Sequence, residues 1–270
     1  MSFIDTHAHL DQQEFEVDRQ AVIDRARQLG VQTIVCLGVT ADSSQSVVEL
    51  AQTHAEIFAG VGIHPNSAVE AKPGDWDRVL ALLDRPRVVA LGETGLDRHW
   101  DFTPIELQKD YFDRHLRTAQ QRDLPVVIHC REAEADLMPM LREAAARGPL
   151  RGILHAFSGD TAMAAECVAL GLHVSFAGNV TYTNKKFQML RDAAITIPAD
   201  RLLLETDSPY LVPHPLRGKQ RRNEPSLVIL TAKGLAELRG QELETLAAQT
   251  TANARGLFRL GPGPQGSFSA

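Results

Sequence analysis

Phe3-Ile4-Asp5-Thr6-His7-Ala8-His9 opens the chain, and the reading of this stretch decides the fold. An apolar run ends in two histidines spaced two apart. Side chains at that spacing on a strand point the same way. His7 and His9 are therefore expected to present two imidazoles to one point, with Thr6 and Ala8 turned away. In an open, doubly wound sheet the turn after the first strand would favour a glycine-rich phosphate loop. His-Ala-His stands there instead. Four further metal-competent groups, Glu93, His129, His155 and Asp207, each close an apolar run. This distribution predicts a TIM barrel with a metal site at the C-terminal face of its strands.

Working outward, eight strand-like runs alternate with helical patterns. Strands are expected over 2–7, 33–39, 57–63, 88–93, 125–129, 152–155, 173–176 and 202–207. Runs such as Thr33-Ile34-Val35-Cys36-Leu37 are almost continuously apolar, as parallel strands buried on both faces are. Gly30, Gly148, Gly171 and Gly240 stand where helical patterns stop. Asp42 or Ser43, Thr103 before Pro104, and Asp160 are candidate helix N-caps. Phe112, Leu116 and Ala119 share one helix face. A last amphipathic stretch, 241–258, is expected to pack across the outside of the barrel. These readings give one domain over 1–260, followed by a Gly/Pro/Ser-rich tail over 261–270 that is expected to be disordered.

Composition narrows the function classes. A net charge of −6 over 270 residues supplies no global basic field, so any polyanion must be held by local positive charge or by metal. Cys36, Cys130 and Cys167 lack CxxC spacing, which fits a reducing compartment without a disulfide framework. No signal peptide is evident, and no apolar run approaches a membrane span. The default is a cytoplasmic enzyme with no membrane association and no obligate protein partner. G-x-S-x-G, Walker and GxGxxG motifs are absent from the sequence, so no serine or nucleotide-loop chemistry competes with a metal site.

The candidate ligands divide naturally. Glu93 follows Val88-Val89-Ala90-Leu91-Gly92, and a carboxylate there is costly to bury unless paired or bound to metal. Its two oxygens allow it to bridge two cations, which an imidazole cannot do; the alternative is a salt bridge to Arg131. His7, His9, Glu93 and Asp207 would hold one divalent ion, and Glu93, His129 and His155 a second, about 3.5–4 Å away. Such ions lower the pKa of water from ~15.7 to about 7, and Asp207 is the candidate proton acceptor. Asp5 either hydrogen-bonds a ligand histidine or stands as a buried structural carboxylate. Glu205, two residues before Asp207, either orients it or partners a buried base. His64, after Gly62-Ile63, and Arg131, two beyond His129, are candidate substrate contacts. Lys185, Lys186, Arg217, Lys219, Arg221 and Arg222 add a basic rim suited to a phosphate-bearing substrate. Ligand softness favours Zn²⁺ or Mn²⁺ for four histidines.

Taken together, these residues resemble the TatD family of metal-dependent deoxyribonucleases, within the amidohydrolase-like barrels, over about residues 3–258. The resemblance rests on Asp5-Thr6-His7-Ala8-His9-Leu10, Gly62-Ile63-His64-Pro65, Gly92-Glu93-Thr94-Gly95-Leu96-Asp97 and Val127-Ile128-His129-Cys130-Arg131. It continues in His155-Ala156-Phe157-Ser158-Gly159, Glu205-Thr206-Asp207-Ser208-Pro209 and Arg222-Asn223-Glu224-Pro225. It implies a TIM barrel whose metal ligands are His7, His9, Glu93, His129, His155 and Asp207. It also implies hydrolysis of DNA phosphodiesters, often from a 3′ end, with Mg²⁺ as the nuclease metal. The family includes members acting on aminoacyl-tRNA esters, so the alternative is a metal-dependent ester or amide hydrolase such as an aminoacyl-tRNA deacylase. Two departures from the family pattern lie where substrate would rest. Arg98-His99 replaces the aromatic residues expected after Gly-Leu-Asp, and the 213–224 loop is longer and more basic.

Overall fold

A computed structural model of the chain describes residues 1–261; all but the first residue of the 261–270 tail lies outside the described residues. Eight parallel strands follow one another around a single sheet. They are Phe3–Ala8 (β1), Val31–Leu37 (β2), Ile57–Val61 (β3), Val88–Asp97 (β4), Val126–Arg131 (β5), Gly152–Leu154 (β6), Leu172–Phe176 (β7) and Leu202–Leu204 (β8). Ala8 pairs with Ser208 just beyond β8 and draws the two ends of the sheet together. The helices between and after them are Arg19–Gln28 (α1), Ala41–Thr53 (α2), Asp75–Leu82 (α3), Ile105–Arg122 (α4), Glu134–Arg147 (α5), Thr161–Ala169 (α6), Gln188–Thr196 (α7), Val228–Arg239 (α8) and Leu243–Phe258 (α9). This is the TIM barrel expected.

Two apolar layers hold it. One lies between sheet and helices, and includes Phe3, Ile34, Cys36, Leu91, Phe112, Leu116, Val174 and Phe176. The other fills the barrel interior, with Ile4, Val35, Leu37, Ala90, Val127, Ile153 and Leu203 from successive strands. Ala254, Leu257 and Phe258 of α9 belong to this inner cluster. The last helix therefore caps the barrel interior instead of lying across the outside. Its apolar end joins the interior side chains, and burying apolar area there gains about 25 cal/mol per Å².

Strand ends differ from the sequence reading where the mouth is built. β4 runs four residues past Glu93, pairing Gly95 with His129 and Asp97 with Arg131. Gly95 permits this approach, because a Cβ there would lie 2.0 Å from the His129 carbonyl oxygen. β6 and β8 stop at Leu154 and Leu204, so His155 and Asp207 sit on the turns above them. Asp207 has left-handed backbone, φ 54°, which aspartate tolerates better than most residues. The β1–β2 register also shifts between Asp5 and Ala8. Strict alternation fails there: the Thr6 hydroxyl donates to the Leu204 carbonyl, 2.9 Å, and lies 3.2 Å from Ser175 Oγ. Thr6 is therefore tied into β7 and β8, and is not turned idly away. Two caps also differ. Thr40, not Asp42 or Ser43, accepts the Ser43 N–H at the start of α2. Thr103 donates to the Asn66 carbonyl and leaves α4 without a side-chain cap. Asp160 caps α6 through the Met163 N–H as expected.

Candidate metal centre

Six side chains converge at the C-terminal mouth. Glu93 is at the middle, with a side chain only 4% exposed. Its Oε2 lies 3.3 Å from His7 Nε2 and 3.4 Å from His9 Nε2. Its Oε1 lies 2.9 Å from His155 Nε2 and 3.1 Å from His129 Nδ1. Asp207 Oδ1 closes the first group, 3.7 Å from His7 Nε2 and 3.6 Å from His9 Nε2. Arg131 makes no ion pair with Glu93; its guanidinium carbon is 5.7 Å from the Trp100 ring centroid.

The outer faces of the rings reveal which nitrogen carries the proton. His9 Nδ1 is 3.0 Å from the Leu37 carbonyl oxygen, so Nδ1–H donates there and, in the neutral ring, Nε2 is bare. His129 Nε2 is 3.0 Å from Asp97 Oδ2, so Nε2–H donates outward and Nδ1 is bare. His155 Nδ1 is directed at Glu205 Oε1, 3.4 Å away, and turns Nε2 inward. A neutral imidazole has one donor and one acceptor nitrogen, so these acceptors point at one another and at the carboxylate. His7 Nε2 and His9 Nε2 are only 3.1 Å apart, and His129 Nδ1 and His155 Nε2 3.3 Å. Facing lone pairs around a carboxylate repel unless positive charge lies between them. The donor set therefore fits divalent cations, and the outer acceptors behind His9, His129 and His155 are typical of metal ligands; His7 Nδ1 has no such partner.

His64 is set the other way round. Its Nδ1 accepts the Asn66 N–H at 3.1 Å, so Nε2 carries the proton and faces Glu93 Oε1 at 3.3 Å. A protonated nitrogen cannot coordinate, so His64 belongs to the site as a donor and not as a ligand.

Electrostatics agree with a site that demands positive charge. Burial opposes the charge on Glu93, but His155, His64 and His7 outweigh it and hold its carboxyl well below the usual range. Burial likewise opposes a charged His9, yet Asp207 and Glu93 lift it to about 9. Protons and cations compete for one negative field.

The supporting carboxylates Asp5 and Glu205 each take one of the two roles that the sequence leaves open. Asp5 accepts N–H bonds from His7 and Thr206 and the Thr206 hydroxyl. It ties β1 to the segment after β8 and touches no imidazole ring. Glu205 accepts the Ala156 N–H at 2.6 Å and faces His155, so it serves His155 and not Asp207. Asp97 was not singled out from the sequence; its Oδ2 holds His129 and accepts from Asn66 Nδ2, while Oδ1 accepts the His99 and Trp100 N–H groups. An even offset of four from Glu93 was the available signal. The basic rim is thinner than expected. Arg222 is paired bidentately with Asp18, both contacts 2.7 Å, and Arg217 lies over Tyr182, 3.8 Å from the ring centroid. Lys185, Lys186, Lys219 and Arg221 stand in no ion pair among the described residues. Arg98 and His99 are bound to Asp136 and Glu132, and so fasten the loop after β4 to the segment around the start of α5.

A parallel barrel carrying clustered histidines and carboxylates at its C-terminal mouth defines a metal-dependent hydrolase. The model of TatD-related DNases matches residues 4–259. A metal-dependent hydrolase of Bacillus subtilis, YabD, is 40% identical over 95% of this chain and 98% of its own. The 3′-5′ ssDNA/RNA exonuclease TatD of Erwinia amylovora is 37% identical over 95% and 99%. The crystal structure of YjjV, a TatD homologue from Escherichia coli, superposes with a TM-score of 0.89 at 31% identity, covering 96% of this chain and 98% of that one. The chain belongs to the TatD-related DNase family.

Proposed function

We propose that the protein is a two-metal 3′-5′ exonuclease that hydrolyses phosphodiester bonds of DNA, as expected from the sequence, in single-stranded form, and of RNA. The observation that carries the two-ion reading is the division of Glu93: one oxygen among His7 and His9, the other among His129 and His155. Relatives named as 3′-5′ ssDNA/RNA exonucleases support the substrate and polarity. Four imidazole ligands favour Mn²⁺ or Zn²⁺ over Mg²⁺ by softness. Three unpaired cysteines fit a cytoplasmic setting.

Bound divalent ions would acidify a water and balance charge on the phosphoryl oxygens. The chain's own residues do the rest. Asp207, whose side chain is the most open of the metal-facing carboxylates at 14% exposure, takes the proton as the water oxygen bonds to phosphorus; the bond to the sugar oxygen breaks, and that oxygen leaves with the bonding pair and takes up the proton Asp207 releases. His64 directs its Nε2–H at the same space and donates to the phosphate. Lys185, Lys186, Lys219 and Arg221 hold the strand by its backbone charge.

The test is hydrolysis of labelled single-stranded oligonucleotides with Mg²⁺, Mn²⁺ or Zn²⁺ and with chelator. Mononucleotide release from the 3′ end is expected. Glu93→Ala and Asp207→Asn should lower turnover at least a thousandfold with the circular dichroism spectrum unchanged. Cleavage of an aminoacyl-tRNA analogue alone would replace this reading with ester hydrolysis.

A further inference from the structure

Trp100 and Phe102 lie on the loop between β4 and α4 with relative exposures of 45% and 59%. Their rings are stacked, with centroids 5.4 Å apart and planes 6° from parallel. Two large aromatic rings left in water and stacked on each other are unusual for a fold with an ample core. Neither belongs to the apolar layers that hold the barrel.

The loop that carries them is held firmly. Buried Gln108 accepts the Asp97 N–H at 2.8 Å and donates to the Asp97 and Thr103 carbonyls at 3.0 and 2.9 Å. One side chain thus pins both ends of the segment. Asp97 Oδ1 accepts the Trp100 N–H at 3.1 Å while its Oδ2 holds His129. The Trp100 backbone is therefore separated from the metal-facing groups by one carboxylate and one imidazole. Arg131, two residues beyond His129 on β5, brings a guanidinium to 5.7 Å from the Trp100 ring and forms no ion pair among the described residues.

We propose that Trp100 and Phe102 form a preorganised platform on which a base of single-stranded nucleic acid stacks, next to the phosphate being cleaved. The inference rests on the nuclease reading above and adds where the base sits. A fixed aromatic face beside an unpaired guanidinium matches a base and its phosphate, and every base has a face to stack. The unpaired lysines and Arg221 sit after β7 and β8, on the far side of the mouth from β4. A strand can then lie across the centre, its backbone on the basic side and one base on the aromatic side. Because the loop is already ordered, stacking costs little conformational entropy.

The test splits substrate affinity from chemistry. Trp100→Ala and the Trp100→Ala/Phe102→Ala pair should raise KM for oligo-dT roughly 5- to 100-fold, with kcat changed by less than about threefold. Hydrolysis of bis(p-nitrophenyl) phosphate, which has no base, should stay within about twofold, and Trp100→Phe should restore the wild-type KM. An unchanged KM in the double variant, while the enzyme still cleaves oligo-dT, overturns the platform and leaves the nuclease reading intact. A second readout does not need turnover. The chain has two tryptophans, and Trp76 packs against Tyr111 and His115. In Trp76→Phe protein held in chelator, oligo-dT should quench Trp100 fluorescence, and an abasic oligomer should not. Equal quenching by both, or none by either, overturns the proposal. So does sedimentation as a dimer that the double variant converts to monomer without a change in KM. If no nucleic acid is hydrolysed at all, the nuclease reading fails, and the fluorescence titration judges the platform alone.

Discussion

Asp97 Oδ2 stands 3.0 Å behind His129 Nε2, on the opposite edge of the ring from Glu93. The carboxylate fixes the proton on Nε2 and the orientation of the ring, and so keeps Nδ1 bare. Such outer partners contribute about 10- to 100-fold to metal affinity or activity. Asp97→Asn can present an amide N–H instead of an acceptor and should lower both in that range. Calorimetric titration of the metal-free variant with Mn²⁺ checks it; wild-type affinity and rate in the variant would remove Asp97 from the centre.

Facing lone pairs predict a folded state that ions stabilise. A ligand at a hundred times its Kd adds about 2.7 kcal/mol, and for a chain this long each kcal/mol is worth about 2–4 °C. Stripping with chelator should lower the Tm by about 5–10 °C, and Mn²⁺ should restore it. Glu93→Gln, which loses the charge that balances the cations, should lose most of the metal-dependent shift. A Tm indifferent to chelator in the wild-type protein would sink the bridged-cation geometry.

Much of this centre is legible in the chain. His7, His9, Glu93, His129, His155 and Asp207 end apolar runs, and parallel strands carry their C-terminal residues to one mouth. What is not legible depends on contacts far apart in sequence. Arg222 reads as a free cation until Asp18, 204 residues away, is beside it. Asp97 reads as a loop residue until Gly95 lets β4 continue along β5. The role of His64 turns on which nitrogen accepts the Asn66 N–H, which no spacing encodes. Which role Asp5 takes depends on Thr206, 201 residues away, and on a register shift between Asp5 and Ala8 that the sequence does not announce.

Asp5 makes a separate prediction. Burial, eased by its bonds to Thr206 and His7, raises its carboxyl to about 8 against an ordinary 3.8. The folded state then holds a proton that the unfolded state has lost between these values. This contribution to stability is complete below pH 3.8 and is lost as pH rises through 8. Asp5→Asn keeps an acceptor for the His7 and Thr206 N–H groups and carries no charge to bury. Relative to wild type it should gain on the order of 1–3 kcal/mol between pH 5 and pH 9. Urea midpoints at the two pH values measure this; parallel curves would show that Asp5 is ionised at no cost in the fold.

His115 sets the acid limb. Buried in α4, it accepts the Ile63 N–H at 3.1 Å on Nε2 and donates Nδ1–H to the Tyr111 carbonyl at 2.6 Å. The bond from Ile63 requires the neutral ring, because Nε2 must keep its lone pair, and burial outweighs the bond to Tyr111 and pushes the pKa down to about 4 from 6.5. Here the unfolded state binds the proton first. Stability is therefore full above pH 6.5 and falls as pH drops toward 4, by about 2 kcal/mol between 6.5 and 5 from this residue. Buried His173, also pushed down to about 4, adds to the same limb. His115→Gln keeps an acceptor for Ile63, whose backbone leads into His64, and has nothing to protonate. The variant should show a shallower loss of urea stability than wild type between pH 6.5 and 5 when both are stripped of metal. An identical slope in the two proteins would mean that His115 is already charged in the fold, and its bond from Ile63 could not then exist as described.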